Sequence, residues 1–376
     1  MTTIRRVALA ATAIVIAATG GARAATELVH GAWPPAPTYM NAVTLPKAFK
    51  AIEEETKGEI KWKLVPGGQL ADPKSTFQAV QDGLMAAGLG ISTYVPNLVP
   101  SLNTIYSTII FDGDVIPASG AAMETLTLNC PSCIEEFKKI NSVPLAGWTS
   151  AQYYLQCTTP VAKLEDLKGK RIRGTGGNNA LWQMAGAVPI AATLPEAVTL
   201  LQRGGMDCQH GVMSWLKTFG YADFAKNVTD YPLGLTGPAI GMMLNRDVWN
   251  KFTPAQKQVH LKQAAYISAA QAIGEFTLDN EKHFKEVQDT KGVKLIKPSD
   301  PQAFAELVAK FDKVQRDQIV ADQKKFGVAD PGAIIDNYKK NLVKWQGLTK
   351  DVGRDIDKFS DLIWREIYSK VDPSKL

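Results

Sequence analysis

The stretch Leu164–Gly177, LEDLKGKRIRGTGG, sets a pattern that the rest of the chain repeats. A polar turn ends at Lys170, and Arg171–Gly174 then reads as a short strand that runs into a glycine loop. The residues that follow predict helix, strand, helix and strand, at 178–185, 188–191, 195–203 and 206–208. Strands that alternate with helices in this way predict a parallel sheet with helices on its faces.

The N-terminal part of the chain shows the same alternation. We predict strands at 28–31, 60–65 and 87–91, with helices at about 38–55 and between Asp72 and Gly83. Two α/β units predict two lobes with a cleft between them. Ligands of such sheets bind outside the carboxyl ends of the strands, where the loops Gly31–Trp33 and Ser92–Tyr94 are expected to converge.

The last third of the chain is predicted to be helical. Thr253 and Pro254 form an N-cap with proline in the first turn, and an apolar pattern then continues to about Val287. A helix of this length exceeds what one domain needs, so we expect it to brace both lobes. Another helix is predicted from Asp300 to about Lys325, with two or three more in the tail.

The first residues have the composition of a secretory signal peptide. Arg5 and Arg6 precede an apolar run, Val7–Gly20, and a small-x-small site that ends at Ala24. The run is too short for a membrane-spanning helix. Removing 24 residues, three of them arginines, from 376 leaves 352 residues and lowers the formal charge from +5 to +2. We therefore expect a periplasmic protein, cleaved near Ala24, with no basic cluster suited to nucleic acid.

Four cysteines are expected in an oxidising compartment. Cys130-Pro131-Ser132-Cys133 follows a β-leaning stretch, Thr125–Asn129, and precedes a predicted helix, which is the local order of a thioredoxin-type motif. A local structural disulfide is the simpler interpretation. Cys157 and Cys208 are either paired or merely buried. The alternative functional hypothesis is therefore an exported thiol-disulfide oxidoreductase that uses Cys130 and Cys133.

No sequence motif indicates an enzyme. The loop Gly174–Gly177 lacks the ending that grips a triphosphate and the spacing of a dinucleotide fingerprint, and the four histidines are scattered. Hydrolase and zinc-protease motifs are also missing from the sequence. We therefore predict no catalytic residues, no cofactor and no metal.

Arg173 is the most informative candidate for binding. It ends a short apolar strand just before the glycine loop, and its guanidinium offers a planar fork for a carboxylate. An internal ion pair is the alternative role for Arg173. Arg171, two residues earlier on the same strand face, is the alternative binder.

The run Leu164–Arg173 resembles the signature of the solute-binding proteins of TRAP (tripartite ATP-independent periplasmic) transporters, the DctP-like family. Other blocks of that family match in order across nearly the whole mature chain: Glu54–Gly58, Pro66–Leu70, Val80–Gly83, Gly186–Pro189, Leu201–Asp207 and Asn245–Trp249.

This resemblance implies an α/β fold with two lobes, of the type II-like periplasmic binding protein class. Lobe I is expected at 25–149 plus about 238–275, lobe II at 150–237 plus about 276–330, and a helical extension at 331–376. Members of this family bind organic acids and pass them to the small and large membrane subunits of the transporter. A binding protein that delivers its ligand to a sensor, without a permease, is a further possibility. We expect a monomer in which Arg173, the family's second arginine, pairs with the ligand carboxylate.

Two departures from the family pattern bear on the ligand. Relatives that bind sialic acid or some dicarboxylates have another arginine where Gln152 stands here, after Gly147-Trp148. Relatives that bridge an oxo acid through a metal have Glu-Trp where this chain has Gln209-His210. We therefore expect a monocarboxylate without a bridging metal.

An aromatic bias in the predicted cleft suggests that the ligand has a hydrophobic or aromatic body. Trp33, Trp148 and Trp215 contribute to this bias, as do Tyr153, Tyr154 and Trp182, although such rings are often core residues. The full set of predicted ligand-binding residues is Arg173, Gln152, Trp148, Trp33, Thr93, Tyr94, Gln209, His210, Trp215 and Asn178.

Overall fold

The computed structural model describes residues 25–376, so the predicted signal peptide lies outside the described part. Two mixed sheets organise the chain, and we call each sheet with its helices lobe I and lobe II. The strands are β1 (Thr26–Gly31), β2 (Ile60–Val65), β3 (Ala87–Gly90), β4 (Ser142–Trp148), β5 (Tyr154–Cys157), β6 (Arg171–Gly174), β7 (Val188–Ala191), β8 (Cys208–Gly211), β9 (Asn227–Thr229), β10 (Ala239–Asn245) and β11 (Lys294–Ile296).

The lobe I sheet has the order β2-β1-β3-β10-β4. Strand β1 is parallel to both β2 and β3, with Thr26 opposite Ile60 and Gly31 opposite Val65. Strand β10 returns from much later in the chain and pairs antiparallel with β3 and β4. The carboxyl ends of β1 and β3 therefore lie at one edge, where the loops after Gly31 and Gly90 emerge.

The lobe II sheet has the order β11-β9-β5-β8-β6-β7. Strand β6 lies parallel to β7 and to β8, with Arg173 opposite Ile190 on one side and Gln209 on the other. Strand β5 pairs antiparallel with β8 and β9. The predicted mixture of parallel strands and helices is confirmed in both lobes, and each sheet also carries antiparallel pairs that the sequence pattern did not predict.

Fourteen α-helices pack on these sheets within the described residues. They are α1 (Leu45–Glu55), α2 (Thr76–Gln81), α3 (Pro100–Ser107), α4 (Val115–Leu128), α5 (Pro131–Lys139), α6 (Asn178–Met184), α7 (Leu194–Gln202), α8 (Trp215–Thr218), α9 (Arg246–Lys251), α10 (Pro254–Ala270), α11 (Asn280–Lys291), α12 (Pro301–Lys325), α13 (Pro331–Leu348) and α14 (Ile356–Glu366). The β-leaning stretch predicted at 125–129 is wrong, because these residues end α4.

The long helix predicted from the apolar pattern is present and spans both lobes. Helix α10 continues through a π-helical segment, Gln271–Asp279, into α11. Thr253 caps its start by accepting a hydrogen bond from the backbone N–H of Gln256. Its first half packs on β4 and α1 in lobe I, and its last part packs on α8 in lobe II.

The C-terminal helices α13 and α14 pack on lobe I, against α4 and α10 respectively. The indole of Trp345 is fully buried against Gly120 of α4, where a side chain would leave no room for the ring. Its Nε1 donates to the carboxylate of Glu124 at 2.6 Å, and Lys344 forms a salt bridge with the same carboxylate at 2.9 Å.

Both pairs of cysteines form disulfides. Cys130 and Cys133 are joined at the start of α5, and Cys157 is joined to Cys208, its direct neighbour across the β5–β8 ladder. The second bond therefore ties two strands of the lobe II sheet together. Among residues 25–376, no helix is long and apolar enough to cross a membrane.

The packing of Trp345 on α4 yields a prediction about stability. In Gly120→Ala the new Cβ would lie 2.1 Å from Cε3 of Trp345, so the ring must move, and we expect a loss of about 1–3 kcal/mol in the free energy of unfolding. Gly347→Ala in α13 is the matched control, because nothing lies within 4 Å of the place that its Cβ would take and alanine favours a helix by up to about 1 kcal/mol. Urea denaturation of both variants measures the difference. Equal stability of the two variants would contradict the packing described.

Candidate functional site

One cavity lies where the two lobes and the long helix meet. Its volume is about 60 Å³. Lobe I contributes Trp33, Tyr94, Tyr106 and Trp148 to its wall, lobe II contributes Tyr153, Arg173, Trp215 and Phe219, and the long helix contributes Gln271, Glu275 and Phe276. Aromatic residues are the largest group in the wall, beside aliphatic residues and a few polar groups.

Among residues 25–376, Arg173 is the only cationic residue that lines this cavity, and its side chain is 2% exposed. Its Nε donates to the carbonyl oxygen of Ala192 at 2.9 Å, and its Nη2 donates to the hydroxyl of Tyr94 at 3.1 Å. These neutral partners orient the guanidinium without balancing its charge. Arg173 forms no salt bridge with any of the described residues.

Arg171 forms an internal ion pair, which is the role considered above as the alternative for Arg173. Its Nη2 and Nε donate to the two carboxylate oxygens of Asp207, at 2.8 and 3.1 Å, and its side chain is 40% exposed. This is a bidentate structural ion pair at the start of β6. Two arginines on one short strand are therefore distinguished by their partners: one is paired and half-exposed, and the other is buried without an ionic partner in the described part of the chain.

The environment of Arg173 keeps it charged. Burial by itself lowers the pKa of Arg173, but the surrounding tyrosine oxygens, that of Tyr94 first, more than offset this, and the pKa lies above its ordinary value. Burial in turn raises the pKa of Tyr94 and of Tyr221, so these groups are neutral phenols at physiological pH. A buried charge without an ionic partner is costly unless another group completes it, so the site is prepared for an anion.

The aromatic rings of the wall hold one another in place. Trp33 donates from Nε1 to the carbonyl oxygen of Leu89 at 3.0 Å, and its ring stacks with Phe219 at 6.4 Å between centroids. The ring centroids of Tyr153 and Trp215 are 5.5 Å apart. Fixed rings present an apolar surface on which a flat or hydrophobic ligand can pack with little loss of side-chain entropy.

Contacts of three kinds between described residues join the lobes across the cleft, so the lobes are closed on one another. They are the Arg173–Tyr94 hydrogen bond, the Trp33–Phe219 stack and a salt bridge of 2.6 Å between Lys74 and Glu196. The ionic contact is about half-exposed on both sides, so it adds at most about 1 kcal/mol.

Of the ten ligand-binding residues predicted from the sequence, five line this cavity: Trp33, Tyr94, Trp148, Arg173 and Trp215. The other five lie outside its lining. Thr93 borders a separate hollow beside Gly176 and Asn179, and Asn178 donates from Nδ2 to the carbonyl oxygen of Thr175 at 3.0 Å.

Gln152 is occupied by backbone groups of neighbouring loops. Its Nε2 donates to the carbonyl oxygens of Phe111 and Gly113, and its Oε1 accepts from the N–H of Gly234. Gln152 therefore anchors these loops and does not face the cavity.

Gln209 and His210 are buried behind Arg173. The His210 ring lies between Tyr153 and Trp182, with centroid distances of 5.1 and 4.8 Å. Burial, followed by the charge of Arg173, lowers the pKa of His210 to about 3, so this imidazole is neutral. It supports the arginine side of the cavity from behind, beside Gln209, which faces Arg173 across the ladder.

Two polar residues of the long helix, Gln271 and Glu275, line the cavity although the sequence did not predict them as site residues. Burial, with a smaller contribution from Asp279, raises the pKa of Glu275 to about 7. A signal was present in the sequence: Glu275 is the first charged residue after Lys262, in an otherwise apolar and amide-bearing run. A single acid is uncommon inside such an apolar run.

The cysteines give little support to a redox role. Cys130 is 2% exposed and Cys133 is fully buried, whereas exchange requires a thiolate to reach one of the sulfurs. The disulfide thus fits a structural role at the start of α5. In the part of the chain that the structure describes, no group of three or more His, Cys, Asp or Glu side chains gathers as a metal site.

Comparison with known proteins places these features in a family. The family model described as bacterial extracellular solute-binding protein, family 7 (DctP), matches residues 31–318. Among curated proteins, YiiZ of Salmonella typhimurium is 25% identical over 217 residues, covering 55% of this chain and 63% of that protein. The 2,3-diketo-L-gulonate-binding periplasmic protein YiaO of Escherichia coli is 24% identical over 290 residues, covering 72% and 80%.

A solved structure is similar in fold across nearly its whole length. The TRAP periplasmic solute-binding protein of Bordetella bronchiseptica, solved with bound (R)- and (S)-mandelate, has a TM-score of 0.72 and 23% identity, covering 85% of this chain and 99% of that one. The two-lobed architecture predicted above is thereby confirmed. With a family match over most of its length and two α/β lobes around one cavity, this chain belongs to the DctP family of bacterial extracellular solute-binding proteins.

Proposed function

We propose that this protein is the periplasmic component of a TRAP transporter, that it captures a monocarboxylate with a hydrophobic or aromatic body, and that it delivers this solute to the membrane subunits. The single observation that carries the proposal is Arg173, a buried cation without an ionic partner among the described residues, in the wall of an aromatic cavity between the lobes.

The guanidinium of Arg173 is suited to a carboxylate. Nε and Nη2 are oriented by Ala192 and Tyr94, and Nη1 makes no hydrogen bond within the described residues. A ligand carboxylate can pair with the guanidinium edge and complete its charge, and such charge-assisted bonds are roughly twice as strong as neutral ones. Because the cavity excludes most water, the ion pair is also less screened than one at the surface.

One cation in the wall favours one carboxylate. Within residues 25–376, the cavity lining contains no second Lys or Arg, and Gln152, at the position where some relatives have another arginine, is engaged by loop backbone. A second ligand carboxylate would enter without a counter-charge and would also meet the acidic side chain of Glu275. These features support a monocarboxylate over a dicarboxylate.

The aromatic wall supports a ligand with an apolar or aromatic body. Burial of a ring-sized apolar surface against Trp33, Trp215 and Phe219 contributes about 2 kcal/mol or more. Mandelate, the ligand bound to the Bordetella bronchiseptica protein, is an aromatic monocarboxylate of this type.

Closure of the lobes links binding to delivery. Tyr94 reaches Arg173 from lobe I, and Trp33 of the same lobe stacks on Phe219 of lobe II, so both the cation and the aromatic wall are complete only when the lobes meet. A ligand that bridges these groups stabilises the closed form, which a membrane partner can distinguish from the open one.

The proposal predicts opposite behaviour for the two arginines of β6. Arg173→Met keeps most of the side-chain volume but removes the cation, and we expect carboxylate affinity to fall by about 30-fold or more, because losing one partner of a buried ion pair costs about 2–5 kcal/mol. Arg171→Met breaks only the half-exposed pair with Asp207 and should leave affinity within about threefold. Isothermal titration calorimetry measures both.

Circular dichroism of each variant serves as the folding control for this pair. Undiminished carboxylate binding by a folded Arg173→Met protein, or an equal loss in Arg171→Met, would contradict the assignment.

A second prediction concerns ligand class. Thermal-shift measurements with benzoate, hexanoate and adipate compare a ring-bearing monocarboxylate, an aliphatic one and a dicarboxylate of similar size. We expect the midpoint of unfolding to rise most with benzoate and least with adipate, because at equal concentration a ligand that binds the folded state more tightly stabilises it more. A larger rise with adipate than with both monocarboxylates would contradict the assignment of a single-carboxylate site.

A further inference from the structure

The long helix contributes three residues to the cavity wall, and their spacing is unusual for an α-helix. Gln271, Glu275 and Phe276 stand four and five positions apart. In an α-helix a residue five positions on is rotated by about 140°, so Phe276 would face away from Gln271. Residues 271–279 form a π-helix, whose i→i+5 hydrogen bonds widen the turn and place positions four and five apart on one face.

A second π-helical segment, Met40–Thr44, packs against the first and fixes its polar side chains. The backbone N–H of Met40 donates to Oε2 of Glu275 at 3.3 Å, and Nε2 of Gln271 donates to Oγ1 of Thr44 at 2.8 Å. Such π segments are often found at functional sites. The two widened turns thus hold Gln271 and Glu275 in defined orientations at the cavity.

Both side chains present unused acceptors. Oε1 of Gln271 is buried and has no hydrogen-bond partner among residues 25–376. The carboxyl of Glu275 receives one hydrogen bond from the described residues, that of Met40. Glu275 and Arg173 line the same cavity with opposite charges, yet they form no salt bridge with each other. The cavity therefore has a cationic donor at Arg173 and acceptors on the long helix, beside the hydroxyl groups of its Ser, Thr and Tyr residues.

We propose that Gln271 and Glu275 form a second polar subsite that accepts hydrogen bonds from a hydroxyl or amino group of the ligand, so that the solute is a hydroxy- or amino-substituted monocarboxylate. This inference rests on the proposed function, in which Arg173 holds the carboxylate. A ligand without the donor leaves the buried Oε1 of Gln271 unpaired, which is the kind of mismatch that polar sites reject most strongly.

Glu275 also makes the subsite dependent on pH. Burial, then Asp279 one turn along the same helix, raises the pKa of Glu275 to about 7. The other titratable groups around it are Tyr39, in the segment packed against it, and Arg173 across the cavity. The ionised carboxyl only accepts, whereas the protonated form also donates. The preference for a donor-bearing ligand should therefore strengthen as the pH rises from about 6 to about 8.

The test compares matched acids by calorimetry on the full mature protein. The parent acids are benzoate and phenylacetate. The substituted acids are 3-hydroxybenzoate, 3-aminobenzoate and 3-hydroxyphenylacetate, so that a hydroxyl donor can be distinguished from an amino donor. We expect at least one substituted acid to bind about tenfold or more tightly than its parent, the equivalent of about 1.4 kcal/mol.

Three variants assign that preference to Glu275. Glu275→Met should reduce the ratio of substituted to parent affinity toward one, while Glu275→Gln, which keeps an acceptor oxygen, should retain part of the ratio and lose its pH dependence. Glu281→Met is the matched control, because this carboxylate is exposed two turns along and pairs with Arg354, and it should leave the ratio unchanged.

The outcomes separate the subsite from the proposed function. A ratio that is the same in wild type and Glu275→Met, while Arg173→Met weakens every acid, overturns the subsite and leaves carboxylate capture standing. Parents that bind more tightly than all substituted acids overturn it as well. Binding that is unaffected by Arg173→Met contradicts the proposed function itself, and a wild-type protein that binds none of the acids contradicts both.

Discussion

The unpaired charge of Arg173 is the constraint on which the rest of the site depends. A guanidinium with 2% exposure and no ionic partner among the described residues is costly to the folded protein unless neutral acceptors, dipoles or a ligand compensate it. The tyrosine hydroxyls and the Ala192 carbonyl supply part of that compensation and leave the guanidinium facing the cavity. In the proposed function an anionic ligand supplies the remainder, so that ligand binding and lobe closure lower the same energetic cost.

The residues around Arg173 come from elements that are far apart in the chain. Strand β6 places Arg173 opposite Gln209, the loop after β3 brings Tyr94 from the other lobe, and the long helix closes the third side. The π-helical turns are what allow that helix to serve two purposes. Its α-helical ends pack on the two lobes, while its widened middle presents polar groups to the cavity.

Much of the fold could be predicted from the sequence because its signals are local. Ile60–Val65 was predicted as a strand with the observed bounds, and the Thr253 cap and the apolar pattern after it identified the long helix. The antiparallel return of β10 could not be read in this way, because strand order depends on long-range packing. Thr125–Asn129 was wrong for a related reason: β-branched residues favour strands weakly, and the packing of α13 on α4 outweighs that preference.

At the site, five of the ten residues predicted from the sequence, Arg173 among them, line the cavity. Chemistry alone singled out Arg173, but only the structure shows that Asp207 satisfies Arg171 and that Gln152 is held by loop backbone. Glu275 was missed although it is the first charged residue after Lys262, because the sequence does not show which face of the long helix meets the cavity. The most direct measurement is a crystal structure of the protein grown with a ring-bearing monocarboxylate such as benzoate. We expect the carboxylate oxygens about 2.7–2.9 Å from the guanidinium nitrogens of Arg173, with the ring against Trp33 and Trp215. A ligand whose carboxylate lies elsewhere, or an Arg173 paired with an internal Asp or Glu in the closed form, would contradict the central claim.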